Sequence, residues 1–331
     1  MEYNKLQEKL VLDLSVIIPT FNNVGYLNEL IESIENSKFH GEIEVLIGID
    51  ACEETLNFVY NNKFPYYFKF LYFPSNGGPY LIKNTLVEIS SFENLFFFDS
   101  DDVMMPDLLQ IVSEKLDHYD CVKPKYVEFE DNLNGREYKK EKATFGEGVF
   151  GIKKTLFLSM NGFEGWRVAA DSDFMARLYN SNKRVYYSPQ ILFHRRVHEN
   201  SLTIHPDTGL ASKLRAGYYY KSKNKKKDMI NLSELKNSEF QYVDYKNKIL
   251  SDKFNEEVYE LSEDDIEKKR IRDHAVNTLF SNQPTIVNSN TIQKQINYDR
   301  INRQTNHPIA SHLSVALKKA KLENIRKNSK R

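Results

Sequence analysis

The sequence is poor in the features that place a protein at a glance. Two cysteines, Cys52 and Cys121, occur in 331 residues, too few for a disulfide framework or a cysteine zinc site. They fit a reducing, cytoplasmic setting, where isolated cysteines act as small core hydrophobes. An excess of either charge is also missing. The 46 lysines and arginines balance 46 aspartates and glutamates, so no global field draws the chain toward nucleic acid. No apolar run approaches the roughly 20 residues of a membrane-spanning helix. Met1 to Leu10 is charged where a signal peptide would be apolar. Any membrane contact is therefore expected to be peripheral. Tyrosine, phenylalanine, asparagine and lysine are plentiful, which points to compositional bias before any binding role.

What is present is an alternation of short apolar runs and helical stripes. Leu14-Ser-Val-Ile-Ile18 ends at Pro19 and suits a strand buried on both faces. Leu27, Leu30, Ile31 and Ile34 then form the i, i+3, i+4, i+7 stripe of a helix. Further strands are predicted at Ile43 to Ile49, closing on Asp50, at Phe68 to Phe73, and at Leu95 to Phe98, closing on Asp99-Ser-Asp-Asp102. Between the last two, Pro79 stands at a first helical position, and Leu81, Ile82, Leu86 and Ile89 mark a buried face. A helix from Pro106 turns Leu108, Leu109, Val112 and Leu116 inward. This βαβ order predicts an α/β fold, a mainly parallel sheet with helices on both faces. Thr20, Asp50, Asn76 and Asp99 all follow strands, and open sheets of this type bind ligands outside the carboxyl ends of their strands.

Beyond Asp120 the pattern is mixed. Cys121 to Phe129 and Arg184 to Ser188 read as strands, and Asp173 to Tyr179 as a helix. After His205 the composition shifts. Seven basic residues and no acidic one occupy Lys213 to Lys227 around Tyr218-Tyr-Tyr220, as a solvated face or a contact to an anionic membrane or partner. Glu256 to Glu267 is acidic, and Ser262 with Asp265 resembles a capping box for a helix to about Leu279. The Asn/Gln/Ser/Thr-rich stretch from Ser281 to Pro308 and the basic tail include segments expected to be disordered. The division expected is a nucleotide-binding domain over 1–205 and a mostly helical, partly disordered appendage of unknown role over 206–331.

Asp99-Ser-Asp101 is the most informative short motif. Two carboxylates one residue apart at a strand end can face one ligand, and Mg²⁺ or Mn²⁺ takes such oxygen ligands while keeping positions for phosphate oxygens. An acidic turn before a helix is the plainer explanation of the motif taken alone.

Val16-Ile-Ile-Pro-Thr-Phe-Asn22, Gly48-Ile-Asp50, Asn76-Gly-Gly78 with Lys83-Asn84, and Phe98-Asp-Ser-Asp-Asp102 occur in that order. Together they resemble the family-2 glycosyltransferases of the GT-A fold, over about residues 12 to 205. The resemblance implies a nucleotide-sugar donor, a UDP-sugar, and a hydroxyl acceptor on a glycan or other molecule. It places Pro19 and Thr20 along the nucleotide, Asp50 on the uracil, Asn76 close to the ligand and Lys83 near the base or diphosphate. Asp99 would contact the ribose and share in metal binding, with Asp101 as the main metal ligand.

Asn161-Gly-Phe-Glu-Gly-Trp166 and Ala170-Asp-Ser-Asp-Phe174 resemble the family's acceptor-side stretch. Asp171 aligns with its catalytic base, and a positioned carboxylate contributes roughly 10²–10⁴-fold in that role. Ala170 stands where many members have Glu, so Asp173 stays open as the alternative. Trp166, the sole tryptophan, is assigned either to a sugar ring or to the core. Arg196-Val-His198-Glu-Asn-Ser201 resembles the Arg-x-His-x-x-Ser signature, making His198 a metal ligand beside Asp101 and Arg196 a partner of the departing diphosphate. A sugar nucleotidylyltransferase is disfavoured because Pro19-Thr-Phe-Asn22 lacks a glycine-rich basic loop. A non-catalytic sugar-nucleotide-binding scaffold is disfavoured by the full set of Asp99, Asp101, Asp171 and His198. No Gln-x-x-Arg-Trp motif of processive polymerases occurs, so one sugar per encounter is expected.

Overall fold

The strand at Leu14–Thr20 (β1) is buried along its whole length, and the sheet grows outward from it. In a computed structural model describing residues 13–139, 144–224 and 239–258, β1 is followed by α1 (Val24–Glu35), β2 (Ile43–Asp50), α2 (Glu53–Tyr60), β3 (Phe68–Phe73), α3 (Pro79–Ile89), β4 (Asn94–Phe97), β5 (Val103–Met104) and α4 (Leu108–Leu116). The chain continues through β6 (Cys121–Asn132), β7 (Gly135–Tyr138), β8 (Phe150–Lys153), α5 (Lys154–Ser159), α6 (Ala170–Tyr179), β9 (Val185–Arg196), α7 (Lys213–Asn224), β10 (Gln241–Asp244) and β11 (Ile249–Ser251).

The sheet order is β11-β10-β3-β2-β1-β4-β8-β6-β9-β5, with β7 paired to β6. The block β3-β2-β1-β4 is parallel, as βαβ crossovers require. β8 then pairs antiparallel with both β4 and β6, while β6 and β9 run parallel. Alternate strand residues feed two cores. Val16, Ile18, Val45, Ile47, Phe96 and Phe98 pack with α1, α2 and α4 on one face. Ile17, Leu46, Leu95 and Phe97 pack with α3, α5 and α6 on the other. Phenylalanines fill both layers, and in the second Phe97, Phe150, Phe157, Phe163 and Phe174 lie in ring contact. The fold is α/β of the GT-A type.

The predicted helix faces hold in α1 and α4. In α3 the buried set is different: Tyr80, Lys83 and Asn84 are buried with Ile82, Leu86 and Val87, while Leu81 and Ile89 are half-buried. Periodicity of apolar residues does not register polar side chains turned inward. β9 is longer than the expected strand, because Ile191 to Arg196 continues the pairing with β6 after a register irregularity. The expected boundary at residue 205 does not describe the sheet either. β10 pairs antiparallel with β3 and carries β11, and the Tyr245 ring packs edge-on against Phe64 at 5.5 Å. Residues 241–251 thus belong to the sheet rather than to an appendage. The helix expected from Ser262 to Leu279, the Ser281–Pro308 stretch and the basic tail lie outside the described residues, as do Lys225 to Lys227.

Candidate active site

The polar residues that follow β1, β2, β3 and β4 meet at one edge of the sheet. Thr20 closes β1 with its Oγ1 buried and without a hydrogen-bond partner in the described structure. Asp50 closes β2, and its two carboxylate oxygens accept the backbone N–H groups of Gly77 (2.8 Å) and Gly78 (2.9 Å). This fixes the Ser75-Asn-Gly-Gly78 turn; Gly78 adopts φ +79°, a conformation that favours glycine. Burial raises the Asp50 carboxyl above its ordinary range, an effect opposed by the two N–H groups and by the charge of Arg167. Asn76 is an exposed residue of the turn.

Lys83, on the buried side of α3, reaches Asp99 Oδ1 at 2.9 Å. Its side chain is 2% exposed and that of Asp99 44%, so the ammonium lies beneath a carboxylate that faces solvent. Asp101 Oδ2 lies 2.9 Å from His198 Nε2, and His198 Nδ1 is buried without a partner in the described structure. Asp102 turns the other way and accepts the Arg196 N–H at 2.9 Å. Burial, reinforced by Asp101 and Asp99, pushes its carboxyl well above the usual range. Arg196 is 3% exposed and its guanidinium pairs with Glu29 and Asp131, donates to the Asp101 carbonyl at 2.9 Å, and lies over Tyr26 and Phe129. It braces the Asp99–Asp102 loop from behind, whereas the sequence placed it on the diphosphate.

Around Asp171 and Asp173 the structure is assembled by side chains that grip backbone. Asn84 exchanges two hydrogen bonds with the backbone of Phe163, at 2.8 and 3.0 Å. Arg177 donates to the carbonyls of Met160 and Gly162 and to Asp173 Oδ2. Asp173 also accepts from Ser222 Oγ at 2.5 Å, so both of its oxygens are engaged. Asp171 is different. Its Oδ1 takes the N–H of Ser172 at 2.8 Å, and burial, reinforced by the neighbouring Asp171 charge, raises the Tyr80 phenol well above its ordinary range. A methyl carbon placed on Gly148 would lie 3.2 Å from Asp171 Oδ2 and 3.8 Å from Asp99 Oδ2. Both carboxylates therefore approach the space left by one missing side chain. Trp166 stacks on Tyr218 of α7, with centroids 4.9 Å apart and planes within 8°.

Three contributors escaped the sequence reading: Tyr80, Gly148 and Lys123. Lys123, 1% exposed, donates to the carbonyls of Gly146 and Glu147, while Lys83 Nζ lies 3.5 Å from the carbonyl of Gly148. Two buried ammonium groups thus hold three successive carbonyls of the strip between Asp99 and Asp171. A lysine within the apolar start of β6 was the available signal.

The donor set fits a hard divalent cation completed by its substrate. Among the described residues no group of three His, Cys, Asp or Glu is arranged to hold an ion. Asp101 and His198 offer one oxygen and one nitrogen 2.9 Å apart, close to the separation of about 3 Å that two neighbouring ligands of one ion at about 2.1 Å adopt. Such ions commonly keep one or two protein ligands and fill the remaining positions with phosphate oxygens and water.

A parallel sheet with carboxylates at its strand ends and an antiparallel flank carrying an acidic helix start is an α/β architecture of the GT-A type. The model of the family described as "Glycosyl transferase family 2" matches residues 15–200, and the chain belongs to that family. Among curated relatives, the poly(ribitol-phosphate) beta-N-acetylglucosaminyltransferase TarS of Staphylococcus aureus is 31% identical over 114 residues, 33% of this chain and 20% of that protein. Abequosyltransferase RfbV of Salmonella typhimurium is 34% identical over 111 residues, 31% of this chain and 32% of that one. The GalNAc(5)-diNAcBac-PP-undecaprenol beta-1,3-glucosyltransferase of Campylobacter jejuni is 23% identical over 209 residues, 58% and 67% of the two chains. This chain thus spans a third or less of the length of the first two. A crystal structure of S. aureus TarS 1–349 with UDP-GlcNAc aligns at 25% identity over 57% of this chain and 60% of that one, with a TM-score of 0.48.

Proposed function

We propose that this protein is an inverting, non-processive glycosyltransferase that moves one sugar from a nucleotide-sugar, a UDP-sugar, to an acceptor hydroxyl. The observation that carries this reading is the approach of both Asp99 and Asp171 to the point that a side chain at Gly148 would occupy. One carboxylate belongs to the strand-end loop that takes the nucleotide, the other to the helix start on the acceptor side.

Asp171 acts as the base. In transfer, the acceptor oxygen attacks the anomeric carbon from the face opposite the nucleotide, the bond from that carbon to the diphosphate oxygen breaks, and the hydroxyl proton passes to Asp171. The Ser172 N–H holds the carboxylate in place, as a positioned base requires. Asp173 keeps a structural role, since Arg177 and Ser222 occupy it. Pro19, Thr20 and Asp50 line the nucleotide, with Asp50 retaining lone pairs for a base N–H beyond those spent on Gly77 and Gly78. Asp99, oriented by Lys83, meets the ribose. Asp101 and His198 hold Mn²⁺ or Mg²⁺, which when bound neutralises the charge of the departing diphosphate. Buried free thiols at Cys52 and Cys121 fit a cytoplasmic setting.

The test is binding and hydrolysis across UDP-, GDP- and TDP-sugars with Mn²⁺ or with EDTA. One donor should bind in a metal-dependent way, Asp101→Ala should weaken that binding, and Asp171→Asn should retain binding while losing turnover. Failure to bind any sugar nucleotide under either condition would overturn the reading and leave a scaffold on the same fold.

A further inference from the structure

The segment from Leu202 to Asn224 combines exposed apolar residues with a basic charge. Six of the thirteen exposed large hydrophobic residues among the described residues fall within it: Leu202, Ile204, Leu210, Leu214, Tyr219 and Tyr220, from 38% to 75% exposed. Concentrations of exposed apolar surface mark interaction sites, whereas single exposed residues do not. Between Leu202 and Asn224 there are also four lysines or arginines and one acidic residue, Asp207.

The local structure explains why these residues cannot turn inward. Arg215, Tyr218 and Ser222, at helical spacing, form the docked face of α7. Arg215 donates to the carbonyls of Thr208 and Leu202, Tyr218 stacks on Trp166, and Ser222 bonds to Asp173. Arg215 thereby ties the 202–212 loop to the helix, and Leu210 joins it through an N–H bond to the Thr203 carbonyl. The opposite side of α7 presents Lys213, Tyr219, Tyr220, Lys221 and Lys223 as exposed residues. Lys223 lies 4.5 Å from the Tyr219 ring centre. Tyrosines beside lysines, with leucines adjoining, are suited to the headgroup level of a bilayer, where the rings and aliphatic groups enter and the ammonium groups pair with lipid phosphate.

We propose that the 202–224 surface docks the protein on an anionic lipid bilayer. Charge complementarity selects this occupant. A second copy meeting the same face across a two-fold axis would bring two basic helices together. The chain's own Lys318 to Arg331 tail is basic as well and would be repelled. A bilayer of acidic lipids offers both the negative surface and the apolar interior. The docked face of α7 lies against the helix that carries Asp171, so attachment would hold the acceptor side of the molecule beside the membrane surface. The proposal stands independently of which donor is used.

The experiment is co-sedimentation of the full chain with vesicles of phosphatidylcholine alone and of phosphatidylcholine mixed with phosphatidylglycerol. Binding to the mixed vesicles and not to the neutral ones is expected, and added salt should weaken it. A juxtamembrane lysine is worth about fivefold in affinity, so the double variant Lys221→Glu/Lys223→Glu should bind at least about 25-fold more weakly. Leu210→Ser, which removes apolar insertion and leaves charge unchanged, should weaken binding by about tenfold. These side chains touch nothing in the nucleotide site, so thermal melting and sugar-nucleotide binding of the variants should match wild type. That control separates failure of the membrane proposal from failure of the transferase reading. Equal partition onto neutral and mixed vesicles, no binding to either, or unchanged binding by the charge-reversed variant would each overturn the proposal. Lipid-free self-association abolished by Leu210→Ser would do the same in favour of a second copy.

Discussion

The two sides of the proposed site are built by different means. On the donor side, residues are placed by the ends of parallel strands: Thr20, Asp50 and Asp99 arrive where β1, β2 and β4 stop, in an order that the βαβ topology imposes. On the acceptor side, position is set by side chains that hold backbone from a distance. Asn84 grips Phe163, Arg177 grips Met160 and Gly162, and Lys123 grips Gly146 and Glu147. The first arrangement is repetitive and follows hydrophobic pattern. The second depends on a few buried polar groups, each of which is costly to leave unsatisfied.

The sharpest test of this contrast lies within α6 itself. Asp171→Asn should reduce transfer by about 10²–10⁴-fold with little change in melting temperature. Asp173→Asn should instead lower stability by about 1–3 kcal/mol in urea unfolding, since one of the two oxygens that serve Arg177 and Ser222 becomes a donating NH₂ and the ion pair with Arg177 is lost, and should retain most of its turnover. Equal kinetic losses in both variants would erase the distinction between a reactive and a structural carboxylate.

Next in size is Asn84→Ala. It leaves the N–H and carbonyl of Phe163 buried and unpaired, and a cost of about 1–3 kcal/mol per group is expected, read as a lower urea midpoint. Because the loop after Phe163 leads to α6, turnover should fall more than donor affinity, which isothermal titration with the nucleotide would separate from kinetics. If both fell together, the anchor would serve the two sides alike. Trp166→Leu should cost about 0.5–1.5 kcal/mol beyond the loss of buried area, through the stack on Tyr218, in a thermal melt.

The smallest expected effect concerns the donor side and is one of pH. The Asp50 carboxyl is raised in the folded state, first by burial. A raised carboxyl contributes stability that is fully present below the unfolded pKa and is lost as pH rises through the folded value. Asp50→Asn removes that titration, so the difference in urea midpoint between variant and wild type should move in the variant's favour as pH rises through the carboxylate range. A difference independent of pH would show that the Gly77 and Gly78 N–H groups fully offset the burial.

Much of the donor side was legible before any coordinates. Apolar β-branched runs that stop at Pro19, Asp50 and Asp99 state both the strands and the edge at which they end. The stripe of α1 states its buried face, because apolar periodicity and burial express the same transfer of surface from water. The pattern misled where buried residues are polar. Tyr80, Lys83 and Asn84 occupy the inner face of α3, and Lys123 is buried in β6. Nothing local distinguishes Lys83, Asn84 and Lys123 from solvated residues until their partners, 16 to 79 positions away, are in place. The same holds for Arg196, which a motif aimed at the ligand and the fold turned toward Glu29 and Asp131.

By itself the sequence determined the α/β alternation, the parallel core and the set of carboxylates at its rim, since these follow from local pattern and from the few ways in which βαβ units connect. Only the tertiary structure decided which carboxylate faces the crevice, which basic residues brace it, and that residues 241–251 extend the sheet. Those outcomes turn on long-range pairing of buried polar groups and on strand edges that accept whichever segment reaches them, and neither leaves a periodic trace in the chain.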